Sequence, residues 1–204
     1  MLPITRVLNQ EQTRLELLNT LDPEQVQDYA ERSCRWVNNS EINQFLGREG
    51  TTMENTLKWY RTRPSEIETD RTFAIWVNET HVGNCGIHTI DAVNGHACLG
   101  ILIGDVSLHN KGIGTQTMTA LCKHAFIDLG LRKLWLHVVG HNMRGIRCYQ
   151  KCGFVEVGRK RDHYFRAGEL RDEVTMELHS DSFGLSEQQL TERAILHIVK
   201  KSLK

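Results

Sequence analysis

The chain has 204 residues, with 25 Lys+Arg against 25 Asp+Glu, 40% apolar residues, 16 Gly and only 3 Pro. At about 150 residues per domain, that length gives one domain with an appendage, large enough to bury a core without staples. The balanced charge excludes a generally basic nucleic-acid binder, and the apolar content excludes disorder.

The opening residues Met1 to Arg6 carry no apolar run of signal length, and no run of about 18 apolar residues follows anywhere. The sequence therefore predicts no leader and no membrane span. Cys34, Cys85, Cys98, Cys122, Cys148 and Cys152 are then expected as free thiols in a reducing, cytoplasmic compartment.

Arg14 to Leu18 (RLELL) predicts a first strand. Asp22-Pro23-Glu24 opens a helix, with a capping Asp, Pro at the first helical position and good helix formers from Gln25 to Arg35. Trp36 to Leu46 (WVNNSEINQFL) is expected to break it into a loop and a short helical turn. Thr52 to Arg61 forms a second helix, with Met53, Leu57 and Tyr60 at helical spacing. The period then changes to two: Phe73, Ile75 and Val77 alternate, a turn sits at Asn78-Glu79-Thr80, and a strand runs from His81 to Ile90. Asp91 to Gly95 carries the Asn-Gly hairpin signal before Ala97 to Ile103. After this three-stranded antiparallel meander come a glycine-rich loop, a helix from about Thr115 to Leu129, and a strand from Lys133 to Val139. A helix from about Met143 to Cys152 follows, then strands near Gly153 to Arg159 and Glu173 to His179. That order gives an α/β (α+β) chain, a mixed central sheet with helices on both faces.

The tail differs in character. Ser186 and Gln189 form a capping-box pair, and Leu190, Ala194, Ile195, Ile198 and Val199 mark one helical face that ends in Lys200, Lys201 and Lys204. The chain thus divides into a domain over 1–180 and an amphipathic helical extension over 181–204. The apolar face of that extension docks on its own domain or forms a homodimer.

The densest chemical signal is Asn110-Lys111-Gly112-Ile113-Gly114-Thr115, which runs from a strand end straight into a helix. Two glycines there permit close backbone approach and leave N–H groups at the positive end of the helix dipole, an anion site suited to phosphate. Taken alone, a glycine pair at a helix start also reads as a plain turn. A dinucleotide fingerprint fails because Thr117 and Met118 stand where a third Gly belongs, and no Gly-Lys-Ser/Thr of a nucleotide P-loop occurs. The sequence has no Cys-x-x-Cys, and Cys148 and Cys152 have no obvious partners, so no metal is expected.

Further on, Asn142 follows a strand end, and Tyr149-Gln150-Lys151-Cys152-Gly153-Phe154 closes the next helix. The series NKGIGT, KLWLHVV, Asn142 and YQKCGF resembles the GNAT superfamily of acyl-CoA N-acyltransferases, in order and at similar spacing. The resemblance runs from about residue 14 to about residue 179. WVNNSEINQFL and Arg166 to Asp172 (RAGELRD) resemble the branch containing the ribosomal-protein and polyamine acetyltransferases.

The resemblance implies an N-acetyltransferase that moves the acetyl group of acetyl-CoA directly to a primary amine of a small molecule or a protein N-terminus. No metal, membrane or nucleic acid takes part. The pyrophosphate of the donor would lie on the amides around Asn110, Lys111, Gly112, Ile113, Gly114 and Thr115. Its pantetheine arm would pair with the edge of Leu99 to Ile103, where a bulge in the family frees an N–H for the thioester carbonyl. Leu102 and Ile103 are therefore backbone contacts with core side chains. Asn142 contacts the arm or caps the following helix. Tyr149 protonates or hydrogen-bonds the departing thiolate, or only packs its helix on the sheet. The attacking amine needs a base, for which Glu41 and Glu54 are candidates, with His88 as a third that also suits the core. A second reading keeps the same fold as a non-catalytic module that binds acyl-CoA or a protein partner.

Overall fold

The computed structural model describes residues 8–10, 13–18, 21–62, 68–166, 168–185, 188, 189 and 191. Most of the predicted tail helix, Leu190 and everything beyond Thr191, lies outside them, and so does Ser186 of its capping box. The strands are β1 (Leu8–Gln10), β2 (Thr13–Leu17), β3 (Arg71–Val77), β4 (Thr80–Asp91), β5 (His96–Ile103), β6 (Lys133–Val139), β7 (Val155–Arg166) and β8 (Glu169–His179). The helices are α1 (Pro23–Asn38), α2 (Ser40–Asn43), α3 (Met53–Thr62), α4 (Ile113–Lys123) and α5 (Met143–Lys151). No described helix is long and apolar enough to cross a membrane.

The eight strands among the described residues form one sheet in the order β1-β2-β3-β4-β5-β6-β8-β7. Only β5 and β6 are parallel to each other; every other neighbour is antiparallel. Alternation along the strands sorts the side chains by face. Leu15, Phe73, Ile75, Ile87 and Leu99 pack with Met118 and Leu121 of α4 and Ile146 of α5. On the opposite face Leu18 and Ala74 meet Val26, Tyr29 and Ala30 of α1 and Tyr60 of α3. The mixed sheet with helices on both faces is therefore as its residue pattern requires.

Local chemistry sets the helix ends. Asp22 Oδ1 accepts from Gln25 N at 2.8 Å while Gln25 Oε1 accepts from Asp22 N at 3.1 Å, a reciprocal cap. α1 does not break at Trp36 as its composition suggests. It runs on to Asn38 because Val37 is buried, and the turn comes at extended Asn39, whose Oδ1 accepts from Glu41 N and starts α2. Burial overrides the weak helix propensity of the asparagines.

Two turns depart from the simplest expectation. Asn78 and Glu79 both take positive φ, 47° and 59°, and form a two-residue hairpin without glycine. The β4–β5 connection is longer than an Asn-Gly pair: Asp91 accepts from Asn94 N at 2.8 Å, and Gly95 (φ 68°) turns the chain into β5. The last two strands also extend further than predicted, through Arg166 and back from Glu169. Their outer half carries charged side chains exposed on both faces, so no apolar alternation announces it.

Beneath α1 and α3 lies a buried polar network. Ser33 Oγ and Tyr60 Oη are 2.7 Å apart, and Asn84 Nδ2 donates to both at 2.8 Å. His81 Nε2 lies 2.9 Å from Gly83 O and 3.0 Å from Asn84 Oδ1, both acceptors, so this nitrogen carries the proton. Nδ1 is buried with no partner, and a second proton there would find no acceptor. Burial accordingly pushes the His81 pKa down to about 4, despite its bonds to Asn84 and Gly83. A group depressed in this way is neutral in the fold but takes up a proton in the unfolded chain below about 6.5. Stability is expected to fall by about 2 kcal/mol between pH 6.5 and 5, at about 1.4 kcal/mol per unit. Urea melts across that range, compared with those of His81→Gln, check it: the variant loses this slope even if it is less stable throughout.

Candidate active site

β5 and β6 pair only through His96–Lys133, Ala97–Leu134 and Cys98–Trp135. Beyond Cys98 the strands part, and the opening leads into a cleft of about 450 Å³. One wall is β5 from Leu99 to Ile103, another is the start of α4, and α5 and the 42–47 segment close the rest.

The β5 backbone facing this cleft follows from its ladder with β4. Gly104 N donates to Val82 O at 2.8 Å, and Asn84 pairs with Leu102 in the same register. Backbone groups of alternate residues point to opposite edges. Leu102 therefore turns its amide to β4, while Ile101 and Ile103 turn theirs to the cleft. The Leu102 backbone thus faces β4 rather than the cleft, against expectation, and the amides on the cleft edge are those of Ile101 and Ile103. No bulge frees these amides either. The β4–β5 register is unbroken from Ile103 to Cys98, its irregularity lies at His88 to Asp91, and the divergence of β6 exposes the edge. The carbonyl of Ile103 is already used: His109 Nε2 donates to it at 3.0 Å, while Arg144 Nη1 donates to His109 Nδ1 at 2.8 Å.

At the next wall, Gly112 takes φ 84° as the cap of α4 and offers no side chain to the helix start. The first amides of α4 are the unsatisfied donors of a helix N-terminus. Asn110, Gly112, Gly114 and Thr115 line the cleft; Lys111 is exposed outside it, and Ile113 is buried in the core, so neither side chain borders it. Arg144, Arg147 and Lys151 add positive charge to the same space. α5 clasps the loop from behind: Cys148 Sγ is 3.6 Å from Thr115 Oγ1, and Cys152 Sγ donates to Thr115 O at 3.7 Å. A hydrogen bond from Cys152 holds the Cys148 thiol below its ordinary pKa. All six cysteines are free.

Tyr149 sits in α5 with its ring against Phe154 at 6.2 Å and borders the cleft, and its hydroxyl takes no hydrogen bond from the described residues. Burial, then the neighbouring Cys148 and Cys152, push the phenol well above its ordinary value. Asn142 spends its Oδ1 on capping α5, accepting from Gly145 N at 2.9 Å, and also borders the cleft.

The carboxylate candidates lie elsewhere. Glu41 is exposed in the first turn of α2 and does not line the cleft, while its neighbour Ile42 does. Glu54 is exposed in the first turn of α3. His88 Nδ1 is 2.9 Å from Asp70 Oδ1, with its ring stacked over Gly86 and Gly100 on β4 and β5 and not among the cleft-lining side chains.

Residues outside the predicted set complete the walls. Phe45 lies under Arg144 at 5.4 Å and beside His141 at 5.2 Å. Arg166 at the end of β7 donates to Leu46 O at 3.1 Å, and Tyr164 packs on Gly47, so the last hairpin fastens the 42–47 wall. His137 of β6 lines the cleft just past the β5–β6 split. The sequence places His137 only within the strand from Lys133 to Val139 and gives no sign that it reaches a cleft.

Comparisons with known proteins follow this geometry. The family described as the Acetyltransferase (GNAT) domain matches residues 17–155. Spermidine N(1)-acetyltransferase of Vibrio cholerae serotype O1 is 32% identical over 62 residues, a match spanning 30% of this chain and only 36% of that enzyme. Acetyltransferase PseH of Campylobacter jejuni is 26% identical over 132 residues, 64% of this chain and 79% of the other. Among solved structures, the Vibrio cholerae spermidine N-acetyltransferase in complex with CoA and spermine superposes with a TM-score of 0.73 at 20% identity, covering 85% of this chain and 99% of that one. A RimL ribosomal L7/L12 alpha-N-protein acetyltransferase in complex with coenzyme A gives 0.73 at 17% identity, covering 87% and 99%.

Proposed function

As the chain belongs to the GNAT acetyltransferase family, we propose that it is an N-acetyltransferase carrying the acetyl group of acetyl-CoA directly to a primary amine. One observation carries this reading. The split between β5 and β6 opens beside a helix start bare of any side-chain cap, and Tyr149 borders the same cleft.

The residues present fit the donor. The amides from Gly112 to Thr115, with Arg144, Arg147 and Lys151 nearby, suit its phosphates. The Ile101 and Ile103 edge suits the peptide-like amides of its pantetheine arm, as an added strand would. The donor supplies an activated acetyl thioester; the chain supplies position and charge. Tyr149 would hydrogen-bond the sulfur as it leaves.

The acceptor follows from charge. Among the described residues lining the cleft there is no Asp or Glu, while Arg144, Arg147 and Lys151 are all cationic. Two like charges at 4 Å repel by about 1 kcal/mol in water and about 4 kcal/mol near a protein surface. A polyamine, as named for the Vibrio relative, finds no carboxylate among these lining side chains; the nearest ionised one, Glu173, stands behind His137. The reading favoured here is an amine on an otherwise neutral or anionic molecule, such as the N-terminus of an acidic peptide or a phosphorylated amino sugar.

The test is thiol release from acetyl-CoA with spermidine, an acidic peptide with a free N-terminus and an amino-sugar phosphate. Turnover at least tenfold faster with either neutral or acidic acceptor than with spermidine is expected. Preference for spermidine overturns the acceptor class, and donor binding without transfer to any amine turns the protein into a binding module.

A further inference from the structure

We propose that His137 is the general base for the acceptor amine and that Glu173 is the residue that positions it. The inference rests on the acetyltransferase reading and deepens it, since the carboxylates expected for this task do not face the cleft.

The placement comes from the sheet. Leu134, Leu136 and Val138 point into the core against α4 and α5, so Trp135 and His137 occupy the other face of β6. The last pair between β5 and β6 is Cys98–Trp135, and His137 is the next residue on that face, where the strands have already separated. It borders the cleft with a side chain 37% exposed. Tyr149 reaches the same cleft from α5, on the helix-covered side. Base and leaving-group donor thus approach the split from opposite faces of the sheet, as an attack through it requires.

The orientation comes from β8. His137 Nδ1 is 3.1 Å from Thr175 Oγ1 and 3.4 Å from Glu173 Oε1. Glu173 is a carboxylate only 5% exposed, held by Lys160 Nζ at 2.6 Å, by the Tyr164 hydroxyl, and by His163 Nε2 at 3.7 Å. Burial alone raises its pKa, but the bonds from Lys160 and Tyr164 outweigh it, and the group stays ionised. Thr175 Oγ1 hydrogen-bonds Nδ1 and the ionised Glu173 carboxylate lies beside the same nitrogen, which favours the proton there and leaves the lone pair on Nε2. Nε2 has no hydrogen-bond partner among the described residues. The charged and titratable groups facing this pair are Glu173 from β8, Lys160, His163 and Tyr164 from β7, and Arg144 from α5 across the cleft.

The proton balance is simple. A primary amine with a pKa of about 10 arrives as an ammonium at pH 7. His137 Nε2 takes one proton and frees the lone pair that forms the N–C bond, while the C–S bond breaks and sulfur leaves with its electron pair. The second proton, lost as the amide forms, equals the one the thiolate gains, and the proton on His137 returns to solvent.

The test compares the native chain with His137→Gln, His137→Ala and Glu173→Gln, using acetyl-CoA and whichever acceptor the native chain turns over. Donor binding by calorimetry confirms that each variant is folded. His137→Gln is expected to lower kcat about a hundredfold at pH 7 with donor affinity unchanged. The deficit is expected to shrink as pH approaches 10, where the amine deprotonates without help. Added imidazole restores part of the rate to His137→Ala but none to Glu173→Gln. The Glu173→Gln deficit is smaller, about tenfold, lies in kcat rather than KM, and shrinks with pH in the same way. Native kcat in His137→Gln, or a deficit equal at every pH, overturns the proposal while leaving the enzyme reading intact. A native chain that binds the donor and acetylates no amine overturns the reading beneath it.

Discussion

Tyr149→Phe is expected to lower kcat by about two to three orders of magnitude while changing the KM for acetyl-CoA by less than about twofold. Tyr149 borders the cleft and its hydroxyl has no partner among the described residues, so its removal breaks no structural bond. The ring stays packed against Phe154, and deleting a hydroxyl that makes no bond within the described residues costs the fold little, so the melting temperature is expected to hold. What is lost is a donor to a sulfur that is neutral in the ground state and anionic as it leaves. An interaction that strengthens only as that charge develops appears in kcat and hardly in binding.

The elevated phenol pKa sharpens this expectation. Burial keeps Tyr149 protonated well beyond the ordinary value of about 10. Full proton transfer to a thiolate with a pKa of about 8.5 is then uphill, and the phenol acts by hydrogen bonding. The native rate should therefore not decline between pH 8 and 10 through ionisation of Tyr149. A decline there that Tyr149→Phe abolishes assigns the phenol the role of proton source instead. Equal kcat in the two proteins removes Tyr149 from the chemistry and leaves it a packing residue.

What the residues disclosed, and what they withheld, divides along a physical line. The glycine-opened helix at Gly112, the strand from Lys133 to Val139, and the cap at Asp22 are local properties. They depend on neighbours within a few residues and were legible. The base was not, because its geometry is non-local. His137 and Glu173 are brought together only by the β6–β8 pairing, and Glu173 is buried by Lys160 and Tyr164 from a strand whose alternation is masked by charge. Glu41 illustrates the converse. Its segment does form a cleft wall, but the short α2 turns Ile42 inward and Glu41 outward, a choice of phase that four residues cannot reveal. The failed Leu102 contact has the same origin: one residue of register decides which edge an amide faces.

Gly114→Asp separates the anion cradle from the fold, because its two effects have opposite signs. Gly114 has ordinary helical geometry in the first turn of α4, and an added Cβ would meet only Cys148 Sγ at 3.3 Å, the end of a side chain that can yield by a few tenths of an ångström. A carboxylate in a first turn favours the helix dipole by about 0.3–1 kcal/mol, and replacing glycine inside a helix adds about as much again. Thermal stability is therefore expected to stay level or rise. Donor affinity is expected to fall more than a hundredfold, since a fixed negative charge within about 4 Å of a diphosphate is worth about 4 kcal/mol per pair near a surface. The loss should shrink in high salt as the charges are screened. Gly114→Asn, with the same shape and no charge, is expected to lose far less, about fivefold or less. Calorimetric titration of coenzyme A into the two variants reads this directly. Equal affinities in both would mean that the phosphates lie away from α4, and the cleft between β5 and β6 would no longer be the donor site.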